Sequence, residues 1–333
     1  MRPLPRLSSR ATRAFAAACV LLVAAPSAYS AAGTPLYPVR PVRVIVPYAA
    51  GGSSDALARI VSQRLSERLG QQFVVDNRAG AGTLIGTELA AHAAADGYTL
   101  LVATPPLVIN PTLYARVTYA PERDFAAVTN MAASSNVLVV HPALPASSVK
   151  ELVALLRSQP GRHAYGSSGI GGASHLATAL FAHMAGVELV HVPYKGGAPM
   201  VSDLLAGRVQ LAMANLTTAL PHVRSGRLRA LAIGTRVRSP LLPEMPTLSE
   251  AGMTGYEANN WNGIVVPRAT PRQVIELLNR AMVTVLREPA VGERIAAAGL
   301  DVIADTPPQF AAYLRSEGEK WSKVIRAAGI KAE

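Results

Sequence analysis

Cysteine is all but missing from this chain: among 333 residues the only one is Cys19. No disulfide framework and no cysteine-rich metal cluster can therefore hold the fold, which must rest on a packed core. Aromatic residues are scarce at 5%, and charged residues make up only 16% against 50% hydrophobic. That balance excludes disorder. Acids number 21 against 32 Lys plus Arg, a net +11, yet the basic residues are scattered. There is no basic run, basic helix face or aromatic interleaving of the kind nucleic-acid binders carry. The excess fits a basic surface that helps to gather anionic solutes.

Long apolar runs are missing too. The run from Ala14 to Ala25 falls well short of the ~20 residues of a membrane-spanning helix, and no later stretch comes near that length. Arg2, Arg6, Arg10 and Arg13 precede it, and Ala28, Ser30 and Ala32 follow it. This order of charged, apolar and small residues is that of a secretory signal peptide, so residues 1–32 are expected to be removed on export. Cys19 leaves with them, and the loss of four arginines leaves a net charge of +7. The remaining chain is long enough for two domains.

What is present is an alternation of short β-branched runs with amphipathic stretches, the pattern of an α/β fold. Arg43 to Pro47 reads as a strand and Asp55 to Leu69 as a helix, with Leu57, Val61, Leu65 and Leu69 on one stripe. A strand at Phe73 to Asp76, a helix from Thr83 to Ala94 and a strand at Tyr98 to Ala103 complete one unit. A second unit starts near Val137. There Ser148 and Glu151 form a capping box, and strands are expected at His163 to Ser167, Glu188 to Tyr194, Val209 to Ala214 and Leu228 to Gly234. Helices at Ala173 to Met184 and Pro199 to Leu205 lie between them. Beyond a Pro-rich stretch come a strand at Gly263 to Pro267 and two Thr-Pro helix starts, at Thr270 and Thr306. The last helix carries an apolar stripe that must cover the first sheet, so the chain is expected to enter a second domain near Ala132 and return near Gly255. The domains are then 33–131 with 255–333, and 132–254.

Two loops stand out because each joins a strand to a helix. The first runs from Pro47 to Asp55 and contains Tyr48, Ala50, Gly51, Gly52 and Ser53. The second runs from Tyr165 to His175 and contains Ser167, Ser168, Gly169 and Ser174. Glycine lets backbone approach a ligand, serine donates hydrogen bonds, and the free N–H groups of a helix start favour anions. One such turn is common. A pair, one in each domain, can grip one anion across a cleft at the carboxyl ends of the strands.

Catalytic readings find less support. Neither loop has the G-x-S-x-G spacing of a nucleophile elbow, no P-loop is present, and Gly80, Gly82 and Gly86 miss the dinucleotide spacing by one residue. The seven histidines show no metal-ligand spacing, and His175 and His183 are too far apart along their helix to share an ion. Neither a metal nor an organic cofactor is expected.

The strand and loop from Val44 to Asp55 belong to a longer series of ordered motifs. Asp96-Gly97-Tyr98-Thr99-Leu100, Tyr165-Gly166-Ser167-Ser168-Gly169, His191-Val192-Pro193-Tyr194-Lys195-Gly196, Asn215-Leu216 and Ala219-Leu220-Pro221-His222 extend it from Tyr37 to Ile330. In these the chain resembles the Bug-type periplasmic substrate-binding proteins of bacterial tripartite tricarboxylate transporters. The resemblance implies a type II periplasmic-binding-protein fold, two α/β domains around a hinged cleft, with a ligand carboxylate held by the two loops. Tyr48, Gly51, Gly52, Ser53 and Asp55 match the first loop, Asp55 in an architectural capping role; Ser167, Ser168, Gly169, Ser174 and His175 match the second. Thr104, Tyr194 and Asn215 match segments at the cleft edge. The resemblance also implies membrane transporter subunits or a sensor as partners, a monomer, and no enzymatic activity.

This chain departs from the family pattern at Ala49 and Ala50, where prolines are common, at Pro105, Pro106 and Thr217, and at Ala214, where an acid would suit an amino group. An amino acid is therefore disfavoured as ligand. The competing reading from another class is a secreted hydrolase or isomerase using Ser167 or Ser174 with His175; it would need an orienting acid for which the sequence offers no motif.

Overall fold

A computed structural model describes residues 37–194 and 196–331. The expected signal peptide, with Cys19, lies outside the described residues. Contacts join the chain from Pro38 onward into one unit, within which the strands form two sub-sheets.

The first sub-sheet grows from local α/β units. Strand β1 (Val42–Val46) has a buried apolar repeat and pairs in parallel with β2 (Phe73–Asn77) and β3 (Thr99–Ala103). Helix α1 (Ser53–Leu69) returns from β1, burying Leu57, Val61 and Leu65 while Arg59 and Glu67 stay exposed; Gly70 stops it in the left-handed region at φ 68°. Helix α2 (Leu84–Ala91) follows β2. Helix α3 (Pro106–Leu113) follows β3, and the short α4 (Pro121–Asp124) leads into β4 (Phe125–Val140).

Strand β4 belongs to both sub-sheets. Its 16 residues are almost all buried, so they show none of the alternation by which a half-exposed strand is recognised. From Phe125 to Ser135 it pairs antiparallel with β9 (Asn259–Pro267), which itself lies beside β3. From Asn136 onward it pairs instead with β7 (Leu211–Asn215) and β8 (Arg229–Ile233). The second sub-sheet continues from β7 to β5 (Ala164–Ser167) and β6 (Val190–Pro193), all parallel.

Helices α5 (Val149–Ser158), α6 (Ala173–Ala185), α7 (Gly197–Leu205) and α8 (Leu216–Arg224) connect those strands. The Ser148 hydroxyl accepts the Glu151 N–H as expected, but the Glu151 carboxylate reaches back to Ser147 rather than closing the box on Ser148. Helices α9 (Arg272–Leu286), α10 (Pro289–Ala297) and α11 (Pro307–Ala327) then return over the first sub-sheet, with the two-residue β10 (Asp301–Val302) against β4. Helix α9 begins one residue later than expected, because Thr270 spends its hydroxyl on the Pro267 carbonyl. The capping box of Thr306 with Gln309 is present, and Phe310, Trp321, Val324 and Ile325 are buried as their spacing predicts. Phe310 meets Trp261 of β9 edge-on at 5.7 Å.

Candidate functional site

The two loops meet. Both α1 and α6 start on a glycine, Gly52 and Gly172, so neither helix has a capping side chain at that position to occupy its first N–H groups. Gly52, Ser53 and Ser54 from the first start, and Ser168, Gly172 and Ala173 from the second, line one cavity of about 380 Å³. A second cavity, of about 420 Å³, adjoins it: Ser53, Ser168, Ala173 and Asn260 line both. None of the described residues lining either cavity carries a formal charge.

Each loop is braced from behind. Asp55, buried at the start of α1, accepts the Gly51 N–H at 2.9 Å, the Asn77 amide at 2.9 Å and the Arg59 guanidinium at 3.0 Å. Burial works to raise its pKa, but these bonds outweigh it and hold the carboxylate below its usual range. Gly51 sits at φ 93°, a conformation that glycine adopts without strain. Tyr48 lines the first cavity, and its hydroxyl pairs with the buried Thr104 hydroxyl at 2.9 Å. Burial raises that phenol's pKa, and the bond to Thr104 partly offsets the rise.

In the second loop the Ser174 hydroxyl accepts the Ser168 N–H and pairs with the Ser168 hydroxyl, both at 2.8 Å. His175 is buried and accepts the Gly171 N–H at Nδ1. Ser167 is fully buried; its hydroxyl pairs with Nε2 of His191 at 2.7 Å rather than with His175. Tyr194 donates its hydroxyl to Asp203, and its N–H closes on the Ser167 carbonyl.

The expected residues thus divide. Tyr48, Gly52, Ser53, Ser168, Ser174 and Asn215 line the cavities; Ala50, Gly51, Asp55, Thr104, Ser167, Gly169, His175 and Tyr194 do not, and lie in or behind the loops. Sequence reasoning missed the walls. Gly82, Thr83, Asn110 and Tyr114 close one side of the first cavity, where Asn110 donates to the Gly82 carbonyl and Thr83 is held at φ 81°, unusual for a β-branched residue. Ser134, Asn136 and Asn260 form part of the second cavity. Only the pairing of β4 with β9 and β7 brings these together, and no linear motif encodes that pairing.

Residues 57–330 match the family model described as the tripartite tricarboxylate transporter family receptor, TctC. The chain belongs to this receptor family. Its relatives include Protein BugT of Bordetella pertussis, 39% identical over 297 residues that cover 89% of this chain and 91% of BugT. Among solved structures, Rpa4515 of R. palustris with adipate is 38% identical with a TM-score of 0.74, covering 89% of this chain and 99% of that one. MatC of Rhodopseudomonas palustris with bound malate is 29% identical with a TM-score of 0.71, covering 87% and 100%.

For a receptor of this family the arrangement has a clear chemical capacity. Backbone N–H groups at two helix starts, several hydroxyls and amides, and no charged wall among the described lining residues can hold an anion by directed hydrogen bonds rather than by an ion pair. The Ser167–His191 pair offers no triad: among the described residues no carboxylate hydrogen-bonds to the His191 ring, and the serine is fully buried.

Proposed function

We propose that this receptor works outside the cytoplasmic membrane, in the periplasm, and captures a small carboxylate, a di- or tricarboxylate or related organic acid. It delivers that acid to the membrane subunits of a tripartite tricarboxylate transporter, or to a sensor. The observation that carries the reading is the convergence of Ser53 and Ser168, one from each anion loop, on the same two adjoining cavities. The adipate and malate bound to two relatives support it. Each charge-assisted hydrogen bond to a carboxylate contributes about 1.5 to 3 kcal/mol, so a few such donors suffice for tight capture.

In this reading the lobe of 33–131 with 255–333 and the lobe of 132–254 close on the ligand about β4 and β9, the protein acts as a monomer, and no reaction is catalysed. The glycines of the loops admit the carboxylate, Tyr48, Ser53, Ser168 and Ser174 donate to it, and Asp55, Thr104, Ser167, His175 and Tyr194 hold the loops in shape. A thermal-shift screen of mono-, di- and tricarboxylates tests it. A ligand at 100 times its Kd adds about 2.7 kcal/mol to the folded state, a visible rise in Tm. If no carboxylate raises Tm while another solute class does, the reading is wrong.

A further inference from the structure

The floor of the second cavity is built by strand pairing. Ser134 and Asn136 are two apart on β4 and therefore share a face. Asn260 of β9 stands directly opposite Ser134, and Asn215 of β7 directly opposite Asn136. Opposed residues project to the same side of a sheet, and all four line the cavity. One of them is unsatisfied. Ser134 is only 2% exposed, and its Oγ is buried with no hydrogen-bond partner. A buried hydroxyl left unpaired is costly, and in a native protein it calls for a partner.

We propose that Ser134 is a specificity-determining residue that reads a hydroxyl group on the carbon chain of the bound acid. The inference rests on the carboxylate reading above: with the carboxylate at Ser53 and Ser168, the second cavity lies within reach of the rest of the ligand. The chemistry of the floor selects the group. Serine and asparagine both donate and accept, so a hydroxyl can use both capacities at once, whereas an ionised carboxylate uses only the donors and leaves the acceptors unpaired. The ligand class is a hydroxycarboxylic acid.

The test uses pairs of acids that differ by one oxygen, lactate with propionate, 3-hydroxybutyrate with butyrate and malate with succinate, titrated calorimetrically into the purified protein and into Ser134→Ala and Ser134→Cys. The parent is expected to bind the oxygenated member of at least one pair tenfold or more tightly. Both variants should bring that ratio to within about twofold of one, while affinity for the unsubstituted acid changes less than twofold. Because Oγ gives up no partner, Tm should hold or rise. Equal binding of both members by the parent, or a ratio that survives in both variants, overturns the assignment. Failure of every acid to bind the parent overturns the carboxylate reading itself, and this inference with it, and is a different result from binding without discrimination.

Discussion

His175 and His191 stack face to face, with ring centroids 3.9 Å apart and planes within 10° of parallel. Tyr165 extends the stack against His191 at 4.8 Å. Nδ1 of His175 accepts the Gly171 N–H, so a proton there would set donor against donor and free the second loop. Burial first, and then the neighbouring His191, lower the His175 pKa to about 4; burial lowers that of His191 as well.

A histidine with a depressed folded pKa contributes stability that is complete above its unfolded value of about 6.5 and is lost as pH falls toward the folded one. His175 should therefore remove at most about 3 kcal/mol between pH 6.5 and its own pKa. Asp301 and Asp305, whose pKa values burial raises, act in the opposite direction, so the informative quantity is a difference. Urea unfolding across that window should show a shallower pH dependence for His175→Gln than for the parent. Identical slopes would mean that His175 takes up its proton alike in the folded and unfolded states, so that its pKa is not depressed by the fold.

Gly52 and Ser168 separate binding from folding. Gly52 has φ −80° and ψ 170°, open to any residue, and a Cβ there meets nothing within 4 Å. Gly52→Val should leave Tm unchanged yet weaken carboxylate binding more than about a hundredfold, about 3 kcal/mol, by filling the space of the ligand oxygens. Ser168→Ala removes one donor and should cost about ten- to hundredfold. Calorimetric affinities within twofold of the parent for both would place the ligand elsewhere.

Asp55 should behave in the opposite way. Removing it takes the acceptor from the Gly51 N–H and leaves the Asn77 amide with only the Tyr48 carbonyl, so Asp55→Ala should lower unfolding free energy by about 1 to 3 kcal/mol and loosen the first loop. Urea titration gives the loss directly. A variant as stable as the parent would show that the bracing is dispensable.

At two glycines an added side chain would force a neighbour from the other segment of the chain to shift. A Cβ on Gly171 would lie 2.4 Å from Cδ2 of Leu113, and one on Gly299 would lie 1.9 Å from Oγ1 of Thr217, both at positive φ. If the lobes close on a ligand, the radius of gyration should shrink on saturation, and Gly299→Ala should act as a wedge that abolishes the shrinkage and weakens binding about tenfold or more. Small-angle scattering with and without the best ligand decides it; compaction of the variant equal to the parent's would remove Gly299 from the closure contact.

The α/β class, most strands and the two loops were legible because they are local: β-branched runs, capping signals and glycines before helices act over a few residues. The short α4 and β10 and helix α10 escaped as well, and for three further elements the physical reason is plain. Helices α3 and α8 contain Pro111 and Pro221, which read as breakers, and the first half of β4 is buried on both faces and so lacks alternation. The site divided along the same line. Ser53 and Ser168 announce themselves by their loops, whereas Ser134 and Asn260 are 126 residues apart and meet only through strand register.

The uncharged lining of the cavities has a consequence for the water around the cell. Attraction between ions fades as salt shortens the screening length from about 8 Å at 0.15 M to about 3 Å at 1 M. Hydrogen bonds from fixed amides and hydroxyls at contact range are hardly screened at all. An affinity built that way falls off with ionic strength far less than one built on an ion pair would, even as salt weakens the long-range pull of the basic surface on an anion.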